Sequence, residues 1–406
     1  MIPSSAFVTG PAVRCLVVLS LLLVTACSTG PRRDRPAPSE PLKRAAVEIS
    51  EDQLLDVWIE LFDPGELPED PDDAKGLSED IRDAEARFLP VHLRNTMERT
   101  GYWGAVRVVP RATEGGEVLV RGRLLASDGD TLALRITAED ASGRQWFQRT
   151  YQANLPKQGY TASAADAELF EPLYHNIAND LVRHRASLPP EYRRNLRRVA
   201  ELRFAADMAP VAFADYLQAD DQGYRVVRLP AEEDAMYRRI LAIRERDALL
   251  VDTLNGHFDN FYRDMEIPYL EWRKARVEEM EALRKIQREA TTRKVLGFAA
   301  IAGAIAISAL GSSRTQISTS SLRNVMVLGG AYAVKSGFDK DSEAEIHREA
   351  IEELGDSFAS ETRPLVVEVE GETHELTGSA EVQYGKWREL LRRIYAAETG
   401  LVDADY

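Results

Sequence analysis

Cysteine is nearly absent. The 406 residues hold two, Cys15 and Cys27, too few for a disulfide framework. Histidine is also sparse, with six: His92, His175, His184, His257, His347 and His374. No two of them stand four apart and no cysteine accompanies them, which excludes a helical metal pair. A G-x-S-x-G elbow and a G-x-x-x-x-G-K-[ST] phosphate loop are both missing. Positive charge is in deficit, with a formal net charge of -15. That argues against nucleic acid and against broad adhesion to anionic lipid head groups. No cofactor, metal or small-molecule ligand is indicated, and the catalytic residue set is empty. Long apolar runs are lacking as well. The first, Cys15 to Val24, is too short to span a bilayer.

What is present begins with that run. Residues 1–26 carry one charged side chain, Arg14, followed by the apolar core CLVVLSLLLV. This is the layout of a secretory signal peptide. Val24-Thr25-Ala26-Cys27 follows, and it resembles the bacterial lipobox: an aliphatic residue, two small residues and the cysteine that takes the lipid. The resemblance implies a lipoprotein acylated at Cys27 after removal of 1–26. Ser28, in the sorting position, implies the periplasmic side of the outer membrane. The acyl chains are an effectively permanent anchor, because each buried CH2 contributes about 0.8 kcal/mol. Loss of Cys15 with the leader leaves Cys27 as the one cysteine, so the core must hold without disulfides. Residues 27–47, rich in Pro, Ser and charge, are expected to form a flexible tether.

The rest predicts an α+β fold: a small strand, helix and antiparallel-sheet domain, then a mainly α-helical region with a long helix and a Gly/Ala-rich hairpin. In the first domain, residues 48–155, Leu55, Val57, Ile59 and Leu61 alternate with Trp58, Glu60 and Phe62 at strand period. An acidic loop, ELPEDPDDAKG, follows. Its carboxylates suit Ca2+ by type, although the EF-hand spacing is absent. Ser78 starts a helix whose apolar stripe is Ile81, Ala84, Phe88, Leu89, His92, Leu93 and Met97, with Pro90 as a kink or restart. His92 reads as a core histidine, and Trp58, Trp103 and Trp146 as packing. Four strands then run antiparallel: Ala105–Pro110, Glu117–Ala126, Thr131–Glu139 and Arg144–Gln152. Their turns are explicit at Gly115-Gly116, Asp128-Gly129 and Ser142-Gly143.

This order, carried by LRNTMERTGYWGAVRVVP and VRGRLLASDGDTLALRITAEDASGRQW, resembles a small periplasmic domain. That domain is shared by the Tol-Pal translocation protein, the curli-secretion lipoprotein and the penicillin-binding-protein activator lipoproteins. The resemblance covers about a quarter of the chain and implies protein partners rather than catalysis.

Residues 162–294 read as helical, with breaks at Pro189-Pro190, Pro210, Gly223 and Ile267-Pro268, so that a separate charged helix starts at Tyr269. The strip 295–338 is expected to be an apolar hairpin. Its arms are VLGFAAIAGAIAISAL, from Val295 to Leu310, and VMVLGGAYAV, from Val325 to Val334. Ala300, Ala304 and Ser308 recur every four residues around Gly303, a spacing that lets helix backbones approach; Gly329 and Gly330 suit the same role in the second arm. Two readings compete: close packing or self-association, and insertion in a membrane. Seven strongly apolar residues in the first arm contribute roughly -0.3 to -0.6 kcal/mol each, and the arm falls short of the roughly 20 residues a span needs. Residues 339–406 predict a helix, a hairpin turning at Glu370-Gly371, and a final helix from Ala380.

The leading functional expectation is a non-catalytic, lipid-anchored accessory or scaffold subunit of an envelope assembly. The alternatives are an oligomeric pore built on 295–334 and a lipid-anchored hydrolase using a carboxylate pair.

Overall fold

A computed structural model describes residues 40–67, 78–154, 170–220, 223–231, 233–310, 349, 352–353, 365–369 and 372–400. The leader, Cys27, most of the acidic loop and the second apolar arm, with Gly329 and Gly330, lie outside them. The described residues belong to one compact unit of the α+β class.

Five strands make the main sheet: β1 (Val57–Glu60), β2 (Val106–Val109), β3 (Val118–Ser127), β4 (Thr131–Asp140) and β5 (Gln145–Asn154), in the order β2-β1-β3-β4-β5. The antiparallel run is therefore three strands rather than four. β1 sits between β2 and β3 and is parallel to both. The connection between β1 and β2 runs through α1 (Glu79–Glu98), the crossover a parallel pair requires. The expected alternation in β1 also slips after Glu60. Val57, Ile59 and Phe62 join one core while Trp58 and Leu61 join the other.

α1 starts where Ser78 accepts from the Ile81 N–H at 3.2 Å. Pro90 neither breaks nor restarts it. The Ala86 carbonyl, which a proline four residues on cannot bond, accepts instead from the Phe62 N–H at 3.0 Å. α2 (Glu171–Ser187) lies beside α1 and β5, and α3 (Pro190–Met208) follows. A small exposed hairpin comes next, β6 (Leu217–Asp220) and β7 (Gly223–Val226), in a region read as helical.

α4 (Ala235–Leu310) is one helix of 76 residues, so the expected stop at Ile267-Pro268 is not a stop. A proline inside a helix costs about 3 kcal/mol. Met265, Tyr269 and Trp272 around it are buried to 3% exposure or less, and each buried side chain of that size returns about 1.5–3 kcal/mol. Packing outweighs the breaker. β8 (Leu365–Val369) and β9 (Glu372–Leu376) pair as the expected hairpin, and α5 (Ala380–Thr399) closes the described chain.

The sheet is covered unequally. One face packs on α1, α2 and the Phe261–Trp272 part of α4. The β1-β2 end of the other face packs on α3, on the Ile240–Phe258 part of α4 and on α5. α4 thus passes from one face to the other around the β2 edge. Residues 40–47 of the expected tether are held to the body: Lys43 N–H donates to Asn179 at 2.8 Å and Ala45 N–H to the Thr100 carbonyl at 2.8 Å.

Candidate functional site

Among the described residues, none packs over the outer face of the β3-β4-β5 end of the sheet. Alternation along β3 and β4 puts Val120, Leu124, Leu134 and Ile136 into the core and turns Arg121, Arg123, Arg135 and Thr137 outward. A groove of about 440 Å³ opens there, lined by Glu60, Asp63, Arg121, Arg123, Arg135, Thr137 and Gln148 among others. Its floor is fixed by Gly122, over which the Phe62 ring lies on the core side.

The register sets the electrostatics. Arg121 faces Thr137, which faces Gln148; Arg123 faces Arg135, which faces Thr150. Arg121 is held between Glu139 at 2.8 Å and Glu60 at 3.4 Å. Hydrogen bonding to Glu139 raises its pKa. Arg123 has Asp63 at 3.4 Å and Glu66 at 3.3 Å. Arg135 has no carboxylate partner among the described residues, although it stands directly across from another arginine. Like charges opposite each other destabilise a strand pair.

Three further polar clusters are buried. Glu85 and Arg273, both fully buried, pair at 3.0 Å. Tyr269 donates to Glu85 at 2.7 Å, and the guanidinium lies 4.5 Å from the Phe170 ring centre. Asp247 and Arg388, equally buried, pair at 2.8 Å, and burial raises the Asp247 pKa. Glu117, 1% exposed, accepts from the Asp56 N–H at 2.6 Å and from Arg244 at 3.1 Å. Burial, with the Asp56 charge second, pushes its pKa up to about 7. Such a carboxyl suits acid–base work, but this one lines neither groove described here and both its oxygens are engaged. A second groove, of about 680 Å³, lies between α1 and α4 and is lined by polar groups including Asn95, His257, Asp259 and Asn260.

Of the residues singled out in the sequence, Ala300, Gly303, Ala304 and Ser308 lie in the last turns of α4. His92 is buried with its Nδ1 2.8 Å from the Tyr262 hydroxyl. Trp58, Trp103 and Trp146 are buried in the core. Among the described residues no group of three or more His, Cys, Asp or Glu side chains could hold a metal. Nor is any helix among them long and apolar enough to cross a membrane. The arginine groove escaped the sequence reading, although alternating arginines in adjoining strands were there to be seen. No family model, no curated protein and no solved structure matches the chain.

Proposed function

We propose that the protein is a lipid-anchored envelope lipoprotein that works as a non-catalytic scaffold. In this reading Cys27 carries the acyl chains, the α+β body engages a partner, and α4 is an arm whose Ala300–Ser308 stretch brings copies together.

One observation supports the reading above the others. α4 is rooted in the core of the body and continues without interruption into the Gly/Ala stretch. At 1.5 Å per residue, its 76 residues make about 114 Å. A globule of this chain's length has a radius of gyration of about 22 Å, hence a width of roughly 55 Å. A helix about twice the width of its body serves reach better than it serves a core. The buried ion pairs add to this, since two of them join α4 to α1 and to α5.

Labelling cells with a radioactive palmitate tests the anchor. Incorporation into the protein, lost in Cys27→Ser together with sedimentation in the outer-membrane fraction, is the expected result. A Cys27→Ser chain that keeps both label and membrane association contradicts it. Dye leakage from liposomes driven by the wild-type chain and abolished by Gly303→Leu would transfer the assignment to a pore.

A further inference from the structure

The two edges of the main sheet are treated differently. β2 is four residues long and is closed by α4: Asn255 bonds both backbone groups of Val108, and Arg107 makes a two-pronged pair with Asp252. β5 is ten residues long and pairs with β4 alone. No described residue bonds the outer side of its backbone. It holds no proline and one charge, Arg149, which lies on the core-facing side across from Ile136 and pairs with Asp180 of α2. An edge strand presents unpaired backbone groups that invite another strand, and natural sheets guard against this. Here a helix closes the β2 edge, whereas β5 has only Arg149 and a bulge opposite Ala138–Glu139 as guards, and no described residue covers its backbone.

The face beside that edge is the arginine groove. A strand laid along β5 is next to Gln148 and Thr150, and beyond them stand Thr137 and Arg135. A side chain opposite Thr150 is two strand spacings, about 10 Å, from Arg135. An arginine and a glutamate close that gap between them. A carboxylate placed there supplies the partner that Arg135 lacks and relieves its opposition to Arg123.

We infer that the β5 edge and the groove beside it receive an extended, acidic segment of a partner protein, added as a sixth strand with a carboxylate on Arg135. Strand addition supplies backbone hydrogen bonds for affinity and leaves alternate side chains to set specificity. A second copy of this chain fits poorly, because β5 holds no Asp or Glu that self-pairing could place on Arg135. A nucleic acid or anionic lipid surface fits poorly too, because its dense charge meets Glu60, Asp63 and Glu139 between the arginines, whereas a strand on β5 sets one carboxylate opposite Thr150 within reach of Arg135. The inference rests on the scaffold reading for the existence of a partner and adds where, and by what chemistry, that partner is held.

The test uses the full-length protein in detergent micelles and three ten-residue peptides, alternating Val-Glu, Val-Lys and Val-Gln. Fluorescence anisotropy reads binding, and amide hydrogen exchange reads protection along Gln145–Asn154. The Val-Glu peptide is expected to bind, to protect β5, and to lose at least tenfold in affinity with Arg135→Glu. Should that variant fail to fold, Arg135→Gln is expected to cost severalfold. Equal binding of Val-Glu and Val-Lys, protection confined to other segments, or unchanged affinity in a folded Arg135 variant overturns the proposal. So does failure of every peptide while phosphatidylglycerol vesicles bind through Arg135. Copies that crosslink through α4 while no peptide binds would remove this inference and leave the scaffold standing.

Discussion

Asn255 of α4 stands against Val108 of β2 as a neighbouring strand would. Its carboxamide accepts from the Val108 N–H at 2.8 Å and donates to the Val108 carbonyl at 2.9 Å. The side-chain amide has the shape and polarity of a peptide unit, so one residue ends the sheet and fixes the helix at the same point. The second lone pair of its oxygen takes Arg94 at 3.1 Å.

Asn255→Leu therefore removes both bonds and leaves the Val108 groups buried without partners. Each orphaned group costs about 1–3 kcal/mol. Urea unfolding should show a loss of roughly 2–5 kcal/mol. A loss below half a kcal/mol would mean that water or movement of α4 replaces the amide.

Glu117 sets a pH dependence. Its folded pKa of about 7 lies above the ordinary 4.5, so between those values the folded state holds a proton that the unfolded state has released. Stability from this group is complete below pH 4.5 and is lost as pH rises toward 7, by about 1.4 kcal/mol per pH unit. Glu117→Gln should flatten that part of the stability curve and be the more stable chain at pH 8. Parallel curves for the two proteins between pH 4.5 and 7 would contradict the assignment.

The Glu85–Arg273 pair ties α1 to α4. Breaking a buried pair by removing one member costs about 3–5 kcal/mol, while replacing both with apolar groups is often neutral. Arg273→Met is expected to fall in that range, and Glu85→Leu with Arg273→Met is expected to recover most of it. A double variant as unstable as the single would show that the loss comes from packing around Phe170 and Tyr269 instead.

Gly122 has no room for a side chain, since a Cβ there meets Phe62 ring carbons at 2.5–2.7 Å. Gly122→Ala should cost about 1–3 kcal/mol, as overpacking does. Gly256, whose Cβ would meet nothing within 4 Å, is the control, and Gly256→Ala should be neutral or slightly stabilising. Thermal unfolding of the two variants distinguishes them.

Local chemistry was legible in advance. The glycine turns placed β3, β4 and β5 within a residue or two, and Ser78 placed the start of α1. What depended on distant partners was not. Four residues of β1 carry no mark of lying between β2 and β3, because parallel pairing is settled by the crossover that follows. Pro268 and Pro90 read as breaks because the packing and the Phe62 bond that offset them come from elsewhere in the chain. The β6–β7 hairpin has an exposed face and little alternation to announce it. Asn255 and Val108 are 147 residues apart. Of the candidate site, the outward arginines were visible but their facing register was not.

The central claim is that α4 carries a segment through which copies assemble. If Cys27 is acylated, Gly303→Cys holds the single free thiol of the processed chain. Mild oxidation of intact cells followed by non-reducing electrophoresis is then the most direct measurement. The scaffold account predicts a disulfide-linked dimer from Gly303→Cys and none from a cysteine placed at exposed Leu249. A Gly303→Cys chain that stays monomeric under oxidation, while properly anchored in the envelope, would contradict it.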